Sequence, residues 1–232
     1  MTTDVPTRLA LAGLPAGDLL SRRNALPAPL RVLHRRGLLT LARTGQPPTV
    51  IELGAWAGEL HLDLDTALGA LAASELVFLD STGHRVTGGV PFAATPTAHH
   101  VRIAGGPVVS ANCAVDALGI GAMLECDTDA RSTDPHTGEA ITAISRAGQW
   151  SWQPAGAVVF VGSTSNGPAE GQRLTESCCP VINFFTTTDN AHTYQQDHHL
   201  TGVVLALPDA AAAGALIFGD LLREPHPEER TP

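Results

Sequence analysis

In SANCAVDALGIGAML, residues 110–124, a cysteine heads an apolar, glycine-bearing run and a carboxylate follows three residues later. On a helix that spacing puts Cys113 and Asp116 on one face. With Ser110 or Asn112 as the cap, Cys113 falls in the first turn, where unpaired N–H groups and the helix dipole favour a thiolate. A carboxylate beside it resists full ionisation of both groups, so one proton is shared or held by the acid. Such a pair can deliver a nucleophile and a proton, although Cys113 alone equally suits a small buried hydrophobe. A second group stands in ESCCPVINFF, residues 176–185. Two adjacent cysteines leading into a strand point to opposite faces, so only one of Cys178 and Cys179 can share a pocket with Cys113. A disulfide between neighbours is strained, and the paired C-x-x-C spacing of zinc or dithiol redox centres is missing. What remains is two separated thiols, one from a helix and one from a strand, that converge on a soft metal with a carboxylate nearby.

These groups need a scaffold, and 232 residues with 44% hydrophobic content can bury a sizeable core. A net charge of −9 repels phosphate backbones and anionic membranes, which argues against nucleic acid and membrane partners. The N-terminal stretch has no basic head with an unbroken apolar run, and no segment reaches the roughly 20 apolar residues of a spanning helix. A soluble, cytoplasmic protein with free thiols is the expectation.

Residues 1–48, rich in arginine and proline, read as a helical N-terminal arm. Residues 49–90 read as helix, turn, helix and a short β ribbon, the outline of a winged helix. The second helix of that segment carries Glu59, Asp63 and Asp65 where a DNA reader would want Arg, Lys or Asn, so a structural role is favoured. An extended connection marks a boundary near residues 88–100. Residues 100–222 then alternate elements: a helix at 112–124, a hairpin through DPHTGEAITAIS, strands at AVVFVG and GVVLALP, and helices near 189–198 and 209–222. Residues 223–232 read as a flexible tail. The fold class is therefore α+β, an N-terminal helical, winged-helix-like segment followed by a mixed α/β catalytic domain. The polar loop STSNGPAEGQRLTES before Cys178 could close over a site. His99, His100, His198 and His199 read as surface residues, because sequence neighbours point apart. Trp56, Trp150 and Trp152 read as core or interface aromatics.

NCAVDALGIGAML, an isolated Cys126 and then SCCPVINFFTTTDNA, in that order and spacing, resemble the organomercurial (alkylmercury) lyases over roughly residues 30–222. C-x-x-D alone is a weak signal; joined to the C-C motif it is fairly specific. The resemblance implies protonolysis of a carbon–mercury bond to give a hydrocarbon and Hg(II), in mercury detoxification. It implies Cys113 and Cys178 as the mercury ligands, Asp116 as the acid beside the metal, Cys179 as a structural neighbour and Cys126 as a non-catalytic thiol. No cofactor is implied, since mercury is substrate and product. Low-molecular-weight thiols, or hand-over to mercuric reductase, would remove the ion. Asn112 stands where the family often has an aromatic, and Pro180 and Asn183 where it commonly shows histidine; these positions touch the pocket wall. Phe184, Leu118 and Ile120 could line that wall, although core packing is the stronger reading of each. Two alternatives belong to other classes: a non-catalytic thiol protein that binds mercury or copper, and a metal-responsive winged-helix regulator.

Overall fold

The computed structural model describes residues 4–14, 17–164 and 178–224. Most of the polar loop before Cys178 (165–177) and of the expected tail (225–232) lies outside them.

Five helices come first: α1 (Val5–Leu11), α2 (Asp18–Asn24), α3 (Ala28–Thr44), α4 (Val50–Glu59) and α5 (Leu64–Ala73). Their starts follow from local chemistry. Thr49 and Glu52 close a capping box on α4, and the Asp63 side chain accepts the Thr66 amide on α5. Gly45 ends α3 in the left-handed region, at φ 71°. A two-stranded ribbon follows, β1 (Phe78–Leu79) with β2 (Val86–Gly88). Leu33, Leu53, Leu68, Leu71 and Leu76 form a core of their own under these helices, with Trp56 packed at its edge and the Arg36 guanidinium 6.0 Å from its ring centre.

The rest is sheet-rich. An antiparallel five-stranded sheet has the order β4–β3–β5–β6–β7, made of β3 (His100–Ile103), β4 (Val108–Ser110), β5 (Thr128–Thr133), β6 (Ala140–Arg146) and β7 (Gln149–Gln153). Between β4 and β5 the chain forms α6 (Ala114–Leu124). An antiparallel three-stranded sheet has the order β10–β8–β9, made of β8 (Val158–Thr164), β9 (Asn183–Phe185) and β10 (Leu200–Ala206). Helix α7 (Thr188–Asp197) joins β9 to β10, and α8 (Leu207–Phe218) ends the fold. The architecture is thus α+β, with an N-terminal helical region and a sheet-rich C-terminal domain.

Sequence periodicity explains the packing. Along β8, Val159 and Val161 enter the main core, while Val158 and Phe160 enter a smaller cluster with Phe185, Ala191 and Leu200, as a period of two requires of a strand covered on both faces. Apart from Asp116, helix α6 is apolar on every side, and all of it except Ala122 and Leu124 is buried, which suits a helix enclosed all round. It meets α8 at a glycine contact: a Cβ on Gly119 would stand 2.3 Å from Phe218 Cδ2 and 2.9 Å from the Gly214 carbonyl oxygen. The main core is continuous from the N-terminal helices to the sheets, since Leu9, Leu38, Leu41 and Ala42 join Val101, Val109, Leu118 and Ile217. Asp134, fully buried in the turn after β5, accepts the Thr186 amide (2.8 Å) and hydroxyl (2.9 Å) and the Asn190 amide nitrogen (3.1 Å), tying one sheet to the other.

Three expectations change. Residues 100–103 are a strand, not part of an extended connection, because His100 and Arg102 face outward while Val101 and Ile103 are buried. Gln149–Gln153 adds a strand whose Trp150 and Trp152 pack half-buried on the core. His99 is buried rather than on the surface; its Nδ1 lies 2.9 Å from the Ser132 hydroxyl. His100, His198 and His199 are exposed.

Candidate active site

Helix α6 begins one residue later than its cap signals suggest. Cys113 is itself the N-cap, and its Sγ accepts the Asp116 backbone N–H at 3.4 Å. The cap residue has extended backbone, so the thiol turns back over the first turn, above Asp116. Both side chains are buried, 1% and 5% exposed. Asn112 holds the carboxylate: its Nδ2 donates to Asp116 Oδ2 at 3.0 Å and to the Pro91 carbonyl oxygen at 3.1 Å.

The third member is Cys179. Its Sγ, the Cys113 Sγ and an Asp116 carboxylate oxygen all lie within 4.8 Å of one another. The sequence resemblance implies Cys178 as the partner of Cys113; the thiol that stands in this cluster is Cys179. Cys178 is 2% exposed and belongs to the main hydrophobic core; Cys179 is half-buried and lines the pocket that holds Cys113 and Asp116. The cause is local. The pair does not lead straight into a strand, for Cys179–Val181 is one turn of 3-10 helix with Pro180 inside it. Successive side chains there are about 120° apart instead of alternating, and β9 starts only at Asn183. The Ala114 amide donates to the Ile182 carbonyl oxygen at 3.1 Å, which pins this turn against the first turn of α6.

Electrostatics also depart from the helix-dipole expectation. Burial pushes the Cys113 thiol well above its ordinary value, helped by a hydrogen bond with Cys179 and by the Asp116 charge; the Asp116 N–H opposes this without prevailing. Burial raises Asp116 from 3.8 to about 7, against the stabilising hydrogen bonds from Asn112 and Cys113. Desolvation outweighs the dipole here. Near neutral pH the site thus holds a protonated Cys113 thiol beside a carboxylate poised to gain or lose a proton.

Two cavities meet at this cluster. The inner one, about 70 Å³, holds Cys113, Asp116 and Cys179 under an apolar wall of Leu14, Leu19, Val90, Ile182, Ile217 and Phe218, with Asp18 and the Arg22–Glu75 ion pair also lining it. The outer one, about 560 Å³, is lined by His99, Asn112, Cys179, Pro180 and Asn183 together with small residues of 87–98. Leu118, Ile120 and Phe184 belong to the core and line neither cavity. Cys126 is half-buried beyond the C-terminal end of α6, in neither cavity. Sequence reasoning overlooked Asn112 as a positioning residue, although it stands four residues before Asp116 and beside Cys113. Leu14, Leu19, Arg22 and Glu75 carry no local signal at all, since helix packing alone brings them over the site.

A family model described as alkylmercury lyase, MerB, matches residues 92–219, more than half of the chain. The chain belongs to the alkylmercury lyase family. Membership makes it an enzyme, a carbon–mercury lyase, and the matched stretch contains Cys113, Asp116 and Cys179. In fold the lyase is similar to a solved structure, the mercury-bound form of MerB2, with a TM-score of 0.68 at 18% identity, covering 89% of this chain and 98% of that one. No curated protein matches the lyase chain. Among its described residues no helix is long and apolar enough to cross a membrane.

Proposed function

We propose that Cys113, Cys179 and Asp116 carry the carbon–mercury cleavage of this lyase, with Cys179 in the role that the sequence resemblance implied for Cys178. The observation that carries the reading is the convergence of two thiols and a buried carboxylate within 4.8 Å. Soft thiolates suit mercury, and an acid held near 7 is matched to proton transfer at neutral pH.

Cys179 borders both cavities, so it takes the organomercury cation first. A mercury–sulfur bond forms, and the thiol proton leaves with the substrate's departing ligand. Cys113 then adds its sulfur to the same metal and passes its proton to the Asp116 carboxylate, which lies within 4.8 Å of that sulfur. Two sulfur donors push electron density into the carbon–mercury bond. That bond breaks with its electron pair on carbon, which takes the proton from Asp116 and leaves as hydrocarbon. Mercuric ion remains between two sulfurs and Asp116 is again a carboxylate. The protons balance with no cofactor in the sequence of steps.

An inner pocket of about 70 Å³ favours a small alkyl group against its apolar wall. The reading extends to the removal of mercuric ion by low-molecular-weight thiols or a partner reductase, and to a cytoplasmic location, which four unbridged cysteines suit. The alternatives are not favoured. A regulator would need a basic reading helix, and α5 carries Asp65 in its first turn and no basic residue in its last. A metal-binding protein without turnover would retain mercury and release no hydrocarbon. Methane release from methylmercury with excess thiol separates the two: turnover by the wild type and none by Cys179→Ala is expected, and retained mercury without methane from the wild type would overturn the reading.

A further inference from the structure

Among the described residues, Cys179 alone lines both the inner pocket and the outer cleft. Its sulfur is the point at which a buried reaction chamber meets a cavity large enough for another molecule. We propose that the outer cleft is a thiol-docking site, through which a low-molecular-weight thiol reaches mercury held on Cys179 and carries it away. This rests on the lyase reading and adds to it a direction, with the organic group on one side of Cys179 and the acceptor on the other.

Size supports the division. Exchange of ligands on mercury is associative, so the incoming sulfur must touch the metal before a protein sulfur departs. The inner pocket, about 70 Å³, has no room for a thiol beside the organic group. The outer cleft, about 560 Å³, lies within the range usual for small-molecule sites. Its chemistry also fits. Cys179 and His99 are its ionisable lining residues, and His99 is kept neutral by burial, which lowers it to about 4, with its ring held between Ser132 and Asn183. The other lining groups are apolar side chains, threonines and the carboxamides of Asn112 and Asn183. A cleft without charge accepts a neutral thiol without burying an unpaired ion. Asn112 spans the boundary: it lines the cleft and donates to Asp116 in the chamber.

The exchange balances. The first acceptor thiol forms a mercury–sulfur bond and gives its proton to Cys179 as that sulfur leaves. A second does the same at Cys113, and the bis-thiolate complex departs with both protein thiols restored. No electrons are transferred.

Ala98 lines the cleft, is exposed and does not line the chamber. Ala98→Trp should slow the loss of preloaded mercuric ion to dithiothreitol by about tenfold, the effect of a modestly raised barrier. With methylmercury saturating, so that its entry does not limit the rate, single-turnover methane release should stay within about twofold of wild type. Ala98→Ser should match the wild type in both. Thr95→Trp, at another exposed lining position, repeats the test should Ala98→Trp not fold. Wild-type mercury loss in the folded tryptophan variants, or equal slowing of methane release and mercury loss, would overturn the proposal. Absence of methane from the wild type would instead refute the lyase reading, and mercury loss would still report on the cleft.

Discussion

Replacing Asp116 by Asn should separate stability from chemistry, because the same burial that tunes this acid destabilises the fold. Its carboxyl titrates at 3.8 when exposed and at about 7 in the folded protein. A folded value raised above the unfolded one means that folding takes up a proton between those limits. The contribution of Asp116 to stability is therefore full below 3.8 and is lost as pH rises toward 7. Three pH units correspond to about 4 kcal/mol of cost at pH 8, and about 2 kcal/mol of it is present at pH 5. Asn is isosteric, stays neutral and can keep a hydrogen bond with Asn112, so Asp116→Asn should be more stable than wild type by up to about 4 kcal/mol at pH 8. That advantage should fall by about half at pH 5. Cys113 adds nothing to this difference at pH 8, since a thiol raised above its ordinary value is neutral there in the folded state and mostly so when unfolded. Urea unfolding at the two pH values measures the change. An amide cannot donate an acid's proton, so methane release should drop by about a hundred- to ten-thousand-fold, while mercuric ion is still retained through dialysis. An Asn variant with the same stability difference at pH 5 and pH 8 would refute the burial argument, and near-wild-type methane release would refute the proton role.

Cys179→Ala should lose both mercury retention and methane release, whereas Cys178→Ala should keep both and lose only core stability, on the order of 1 kcal/mol by urea unfolding; the opposite pattern would restore the original assignment. Asn112→Leu removes a hydrogen bond that favours the charged carboxylate, so the acid limb of kcat/KM, set near 7 by Asp116, should move up by about one pH unit. An unmoved limb would mean that Asn112 does not tune the acid. Gly119→Ala should destabilise by about 1–3 kcal/mol in urea, because its Cβ meets Phe218 and the Gly214 carbonyl in the α6–α8 contact. Wild-type stability would mean the two helices part freely there.

Local order in the chain already specified much of this protein. The apolar run after Cys113 determined a buried helix, the three-residue step to Asp116 put thiol and acid together, and the short unbroken apolar runs AVVFVG and GVVLALP determined strands. Order and spacing of the cysteines were enough to point to the family. Each of these depends on residues within a few positions of one another, where helix and strand periods act directly. Which of two adjacent cysteines faces the acid was beyond that reach. It turns on the single 3-10 turn at Cys179–Val181 and the hydrogen bond from Ala114 to Ile182 across 68 residues of chain. His99 likewise reads as a surface residue until Ser132, 33 residues away, is folded against it. The acid's raised pKa, the N-terminal leucines over the chamber and the second cavity behind Cys179 arise from desolvation and from packing between distant segments, and these quantities do not exist until the tertiary structure excludes water.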